Sequence, residues 1–212
     1  MTKLAIFDLD GTVLDSLDDL TNALNISIKE IGFGGTNKER VKRAIGAPMR
    51  EFVRLSIGQE VDEIQLDKCI EKYVHYSKVL TCNIKPFNGI TQVMEVLKKR
   101  GYVTVAFTNK DRQEMDSIMP IINDLAFDKV ICSSDVPSKP SPDGIFSMMK
   151  EFNATAENTF MIGDGETDVL AGANAGVNSI AVLWGNRDRE CLSKYGATVF
   201  ANEPLELLEI MK

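Results

Sequence analysis

The chain has 212 residues, 44% of them hydrophobic, and a formal net charge of −7. That length holds one large domain or two small ones, and an acidic balance without a basic tract argues against nucleic acid or an anionic membrane as partner. Cys69, Cys82, Cys132 and Cys191 form no C-x-x-C pair, so reduced thiols of an intracellular protein are expected, not a disulfide framework or a zinc site. No apolar run approaches the roughly 20 residues of a membrane span. The sequence enters a strand too early for a secretory leader, and a soluble cytoplasmic protein is expected.

The first predicted element is a short strand over 3–8, closed by Asp8-Leu9-Asp10-Gly11-Thr12. A helix is predicted over 16–32: Ser16 is placed to cap it, Leu17, Leu20, Leu24, Ile28 and Ile31 recur every three or four residues, and Gly32 ends it. Further helical stretches fall near 37–45, 48–57 and 61–80, with no strand between 16 and 81. Residues 84–89 form a turn-rich return link. The pattern then alternates. Helices are predicted near 89–100, 111–122, 142–152 and 166–175, and short apolar strands at 103–107, 129–132, 159–162 and 179–183. Such alternation implies βαβ units and a parallel sheet covered on both faces. The expected fold is therefore α/β: a Rossmann-like parallel-sheet core, residues 1–15 and 84–212, with an inserted all-helical cap domain at 16–83.

Side chains alternate along a strand, so Asp8 and Asp10 point to the same side. Two carboxylates that close together call for a cation, or for one of them to keep its proton. D-x-D-G also begins calcium loops, but position 5 here is Thr12, position 12 is Asp19, and Val13, Leu14 and Leu17 are too apolar. In open α/β sheets ligands bind beyond the carboxyl ends of the strands. Besides Asp8 and Asp10, those ends carry Thr108-Asn109-Lys110, Ser138-Lys139-Pro140 and Gly163-Asp164-Gly165-Glu166-Thr167-Asp168. Each has a plain structural reading as a helix cap or a solvated loop residue. Four such coincidences at one rim are improbable.

In that order, Asp8-x-Asp10-Gly11-Thr12, Thr108-Asn109, Lys139-Pro140 and Gly163-Asp164 with Asp168 resemble the four motifs of the haloacid dehalogenase superfamily. The helical insert is similar to the small cap of its phosphoglycolate phosphatase-like branch. The resemblance implies a Mg²⁺-dependent phosphatase acting on a small phosphorylated metabolite through an aspartyl-phosphate. It assigns Asp8 as nucleophile and Asp10 as general acid and base. The metal ligands it implies are Asp8, the backbone carbonyl of Asp10, and Asp164, with Asp168 in support and Glu166 as an alternative. It assigns phosphate binding to Gly11, Thr108, Asn109 and Lys139. The second aspartate of the first motif separates phosphatases from the family's dehalogenases, since breaking a carbon–halogen bond needs no proton for an oxygen leaving group.

The substrate is less defined. A phosphoglycolate-like monoester is expected. The alternatives are a phosphomutase of the β-phosphoglucomutase kind, an inorganic pyrophosphatase, or a non-enzymatic phosphate-sensing or protein-binding module. Arg50, with Arg54 one turn on, either pairs with a substrate anion or is a surface arginine. Lys110 either reaches the site or faces solvent. His75 and Trp184 read as packing or surface residues.

Overall fold

A computed structural model describes residues 2–80 and 83–212. Its elements in chain order are β1 (Thr2–Phe7), β2 (Leu14–Asp15), α1 (Leu17–Glu30), α2 (Lys38–Ala44), α3 (Met49–Ile57), α4 (Glu63–Val79), β3 (Lys85–Pro86), α5 (Ile90–Lys99), β4 (Tyr102–Phe107), α6 (Arg112–Asp124), β5 (Lys129–Ile131), α7 (Asp143–Phe152), β6 (Ala154–Gly163), α8 (Glu166–Ala175), β7 (Asn178–Val182), α9 (Arg189–Lys194), β8 (Phe200–Ala201) and α10 (Leu207–Ile210).

Six strands form one sheet in the order β5-β4-β1-β6-β7-β8, and every neighbouring pair is parallel. The chain builds outward from β1 on one side and, starting with β6, on the other. The strand order reverses between β1 and β6, where doubly wound sheets open a ligand crevice. Asp8 follows β1 and Asp164 follows β6, so the crevice lies between two carboxylates.

Strand alternation supplies both layers of the core. Ala5 and Phe7 join the cluster under α5 and α6, while Leu4 and Ile6 join the opposite cluster with Ile145, Met148 and Met161. Helices α1 to α4 bury a core of their own. Leu20, Leu24, Ile28, Val41, Phe52, Val53, Leu66 and Tyr73 pack together, and the rings of Phe52 and Tyr73 meet edge to face at 5.6 Å.

The helices and sheet strands anticipated from periodicity are present, with ends shifted by a few residues. Others were not anticipated. The two passages between sheet and helical insert pair as an antiparallel ribbon, Leu14 with Pro86 and Asp15 with Lys85, where only a loop was expected. Strand β6 begins five residues early, and α9, β8 and α10 are too short for a periodic signal. Ser16 sits at the start of α1 but makes no capping bond; its hydroxyl is taken by Asp10. Cys69, Cys132 and Cys191 are free thiols, and Cys82 lies outside the described residues. No described helix is long and apolar enough to cross a membrane.

Candidate active site

The turn after β1 aims both aspartates. Leu9 is fully buried, and its carbonyl accepts from the backbone N–H groups of Thr12, Val13 and Leu14. This tight loop leaves Asp8 and Asp10 on the side facing the helical insert. Gly11 holds it with φ +87°, a left-handed conformation that favours glycine. A Cβ there would fall 2.2 Å from Asp164 Oδ2 and from Asn186 Nδ2, so glycine lets the first motif approach the fourth.

Lys139, 2% exposed, holds the nucleophile side together. Its Nζ donates to Asp8 Oδ1 at 2.6 Å, Asp168 Oδ1 at 2.6 Å and the Phe107 carbonyl at 2.8 Å. Burial disfavours its charge, but Asp168 and Asp8 outweigh burial and hold the ammonium charged above the ordinary lysine range. Asp168 also accepts from Gly165 N–H at 3.0 Å in the first turn of α8. Asp164 accepts from Thr12 Oγ1 at 3.1 Å and from Asn186 through its backbone N–H at 2.6 Å and its Nδ2 at 2.9 Å.

Carboxylates Asp8, Asp164 and Asp168 are buried and offer oxygens within 4.8 Å of one another. Burial, followed by repulsion from Asp168, pushes Asp164 up to about 6. Burial likewise raises Asp8 well above the usual carboxylate range, against the pull of Lys139. Three carboxylates against one ammonium leave this cluster short of positive charge. Its hard oxygen donors suit a small divalent cation such as Mg²⁺.

Asp10 stands apart from the cluster. Ser16 Oγ donates to its Oδ1 at 2.6 Å, and Lys110 Nζ lies 2.9 Å from its Oδ2. Lys110 is buried and also lies 3.9 Å from Glu114; burial opposes its charge, while Asp10 and Glu114 raise its pKa. Lys110 thus reaches the site. Glu114 is clamped by a reciprocal cap at the start of α6, with Glu114 N–H on Asp111 Oδ1 at 3.0 Å and Asp111 N–H on Glu114 Oε2 at 3.1 Å. Its other oxygen accepts from Tyr73 Oη of α4 at 3.1 Å.

Thr108 and Asn109 follow β4 at the rim. Thr108 is buried, and its Oγ1 accepts from Lys110 N–H at 3.2 Å. Asn109 ties three elements together. Its Oδ1 accepts from Lys139 N–H at 2.8 Å, and its Nδ2 donates to the Lys139 carbonyl at 3.0 Å and the Gly46 carbonyl at 2.7 Å. A second tie comes from Arg187, beyond β7. Its guanidinium donates to the carbonyls of Lys42, Arg43 and Ile45 at the end of α2 and pairs with Glu166. Glu166 is therefore engaged away from the carboxylate cluster.

Between the sheet rim and the helices lies a small cavity, lined by Asp8, Asp10, Thr108, Asn109, Lys110 and Glu114 below and by Leu20, Ile45, Gly46, Ala47, Met49 and Phe52 above. Arg50 is not brought to it. Its exposed guanidinium is bonded to Glu63 and to Asp67, the latter at 2.5 Å, and Arg54 shares Glu63 at 2.9 Å. His75 is exposed beside the Tyr76 ring. Trp184 packs on the core and donates Nε1–H to the Thr12 carbonyl at 2.9 Å. Ser16, Tyr73, Glu114, Asn186 and Arg187 were not singled out for the site from sequence; only the reciprocal-cap spacing of Asp111 and Glu114 offered a local signal.

Residues 5–182 match the haloacid dehalogenase-like hydrolase family. A phosphoglycolate phosphatase of Aquifex aeolicus is 28% identical, covering 86% of this chain and 85% of that protein. An N-acetylmuramic acid 6-phosphate phosphatase of Pseudomonas aeruginosa is 24% identical over 99% of this chain and 94% of its own length. The solved structure of a haloacid dehalogenase-like family hydrolase from Streptococcus pneumoniae superimposes with a TM-score of 0.86 at 25% identity, covering 100% of this chain and 99% of that one. The chain belongs to the haloacid dehalogenase-like hydrolases and is an enzyme of their phosphoglycolate phosphatase-like, phosphoric monoester hydrolase kind.

Proposed function

We propose that the protein is a Mg²⁺-dependent phosphatase that hydrolyses a small phosphate monoester, of phosphoglycolate's size, through an aspartyl-phosphate on Asp8. The observation that carries this reading is the separation of Asp8 from Asp10. Asp8 belongs to a buried carboxylate cluster suited to a cation, while Asp10 is held aside by Ser16 and Lys110. Two carboxylates in different environments can take different roles.

In this reading an Asp8 oxygen attacks phosphorus and the ester P–O bond breaks. Asp10 gives its proton to the departing alkoxide. It then takes a proton from the water that attacks the acyl-phosphate, releasing inorganic phosphate and regenerating Asp8. Bound Mg²⁺ supplies the charge compensation that lets two anions meet, and Asp8, the Asp10 carbonyl and Asp164 would hold it. Lys139 fixes Asp8, with Asp168 bracing Lys139 from behind. Gly11, Thr108 and Asn109 would form the phosphoryl cradle; such preorganised donors are each worth roughly 10²–10³ in rate. Residues 16–83 would act as a cap over a core of 1–15 and 84–212, excluding water as the ribbon of Leu14 and Pro86 flexes. Three free cysteine thiols and the acidic surface suit a cytoplasmic enzyme acting on small metabolites.

The test is a panel of phosphorylated metabolites with and without Mg²⁺. Phosphate release that depends on the metal and disappears in Asp8→Asn supports the reading. A panel inactive under every condition, with no phosphoenzyme formed, excludes it.

A further inference from the structure

The cavity wall divides by chemistry. Its floor carries the catalytic rim, and its roof is Leu20, Ile45, Ala47, Met49 and Phe52. No roof side chain bears a charge or a hydrogen-bond donor. The cation in the floor, Lys110, is already engaged 2.9 Å from Asp10 and 3.9 Å from Glu114. Lys139 is held behind Asp8 by Asp168 and the Phe107 carbonyl. Arg50, which the sequence offered for a second substrate anion, is paired with Glu63 and Asp67 and does not line the cavity.

With the phosphoryl group at Asp8, the roof is what remains for the rest of the substrate. Carbon is buried favourably against it. An unpaired carboxylate or second phosphate is not, and Glu114 would repel either. The enclosed space between floor and roof is small, and the phosphoryl group takes much of it, so the rest of the substrate must be short.

We infer that the substrate is the phosphate monoester of a short, uncharged alcohol, and that a carboxylate or a second phosphate on the leaving group is selected against. The inference rests on the phosphatase reading and narrows it. It sets this chain apart from relatives named for phosphoglycolate, which carries a carboxylate. Pyrophosphate, the substrate of the alternative pyrophosphatase activity, fails on the same ground.

The test compares 2-hydroxyethyl phosphate with 2-phosphoglycolate, which match in length and differ in one charge. With Mg²⁺, the neutral ester should be favoured in kcat/KM by about 10²-fold, the range expected when a polar group is buried without a partner. Asp8→Asn, which cannot turn over, should bind the two esters in the same order by calorimetry. Met49→Lys would place an ammonium on a half-exposed roof position and should narrow the ratio by at least about tenfold. Equal or better use of phosphoglycolate by the wild type overturns the inference and leaves the phosphatase reading standing. A ratio unmoved in a folded Met49→Lys protein overturns the role given to the roof. If both esters and p-nitrophenyl phosphate are inert and no phosphoenzyme forms, the phosphatase reading falls and the inference with it.

Discussion

Lys110 Nζ lies 2.9 Å from Asp10 Oδ2, and both side chains are buried. Lys110 is braced by Glu114, and Glu114 accepts from Tyr73 on α4. The proposed general acid is thus the end of a chain of one hydrogen bond and two ion pairs that begins on the helical insert. Lys110→Met should lower kcat by about 10²-fold, since a positioned proton donor contributes 10²–10⁴-fold. Tyr73→Phe should cost about 1–2 kcal/mol in urea unfolding, with a smaller effect on kcat. A Lys110→Met enzyme with wild-type kcat would separate Lys110 from the chemistry.

Arg187 joins the sheet side of the site to the helical insert. From beyond β7 it binds the carbonyls of Lys42, Arg43 and Ile45, and it pairs with Glu166. Arg187→Ala should speed hydrogen exchange across 42–47 and raise KM more than it lowers kcat, because the insert would close less often over the substrate. Unchanged exchange in that segment would show that Arg187 does not hold the insert.

Gly11→Ala places a methyl where Asp164 Oδ2 already stands, at a left-handed φ. The loop or Asp164 must move. A shift of about 1 Å costs roughly 10²-fold in such sites, and calorimetric affinity for Mg²⁺ should fall with the activity. Normal affinity in Gly11→Ala would mean the two motifs do not need their close approach.

The pH dependence follows from Asp164, which burial holds at about 6, and from Asp8, also raised by burial. Both carboxyls bind protons more tightly folded than unfolded. Without metal, their contribution to stability is therefore greatest at low pH and is lost as pH rises, for Asp164 through about 6. A divalent cation needs them ionised, so the rise in Tm on adding Mg²⁺ should be small at about pH 5 and large at about pH 7.5. An equal rise at both would place the metal elsewhere.

How much of this was legible in sequence depends on distance along the chain. Asp8, Thr108, Lys139 and Asp164 each follow a short apolar strand, so local pattern plus the strand-end rule placed them at one rim. Periodicity similarly exposed α1 to α4. The contacts that tune the rim are different. Tyr73 meets Glu114 across 41 positions, and Arg187 meets Lys42 across 145. Neither has a periodic or spacing signature, because each exists only once the helical insert sits against the sheet. From sequence, Arg50 was open between a substrate contact and a surface arginine. Its neighbourhood in sequence suggested the site, yet Glu63 and Asp67 on α4 draw the guanidinium outward. Ser16 looked like a helix cap because serine so often is one, but Asp10, folded back beside it by the Gly11 turn, took its hydroxyl.

The central claim, covalent chemistry at Asp8 with Asp10 serving the proton, is tested most directly by trapping. Asp10→Asn should form the acyl-phosphate and hydrolyse it slowly. Brief exposure of that variant to substrate and Mg²⁺, followed by acid quench and peptide mass analysis, should find one phosphoryl group on the peptide containing Asp8. The group should be absent from Asp8→Asn. A phosphoryl group on another residue, or full turnover by Asp8→Asn, would contradict the account.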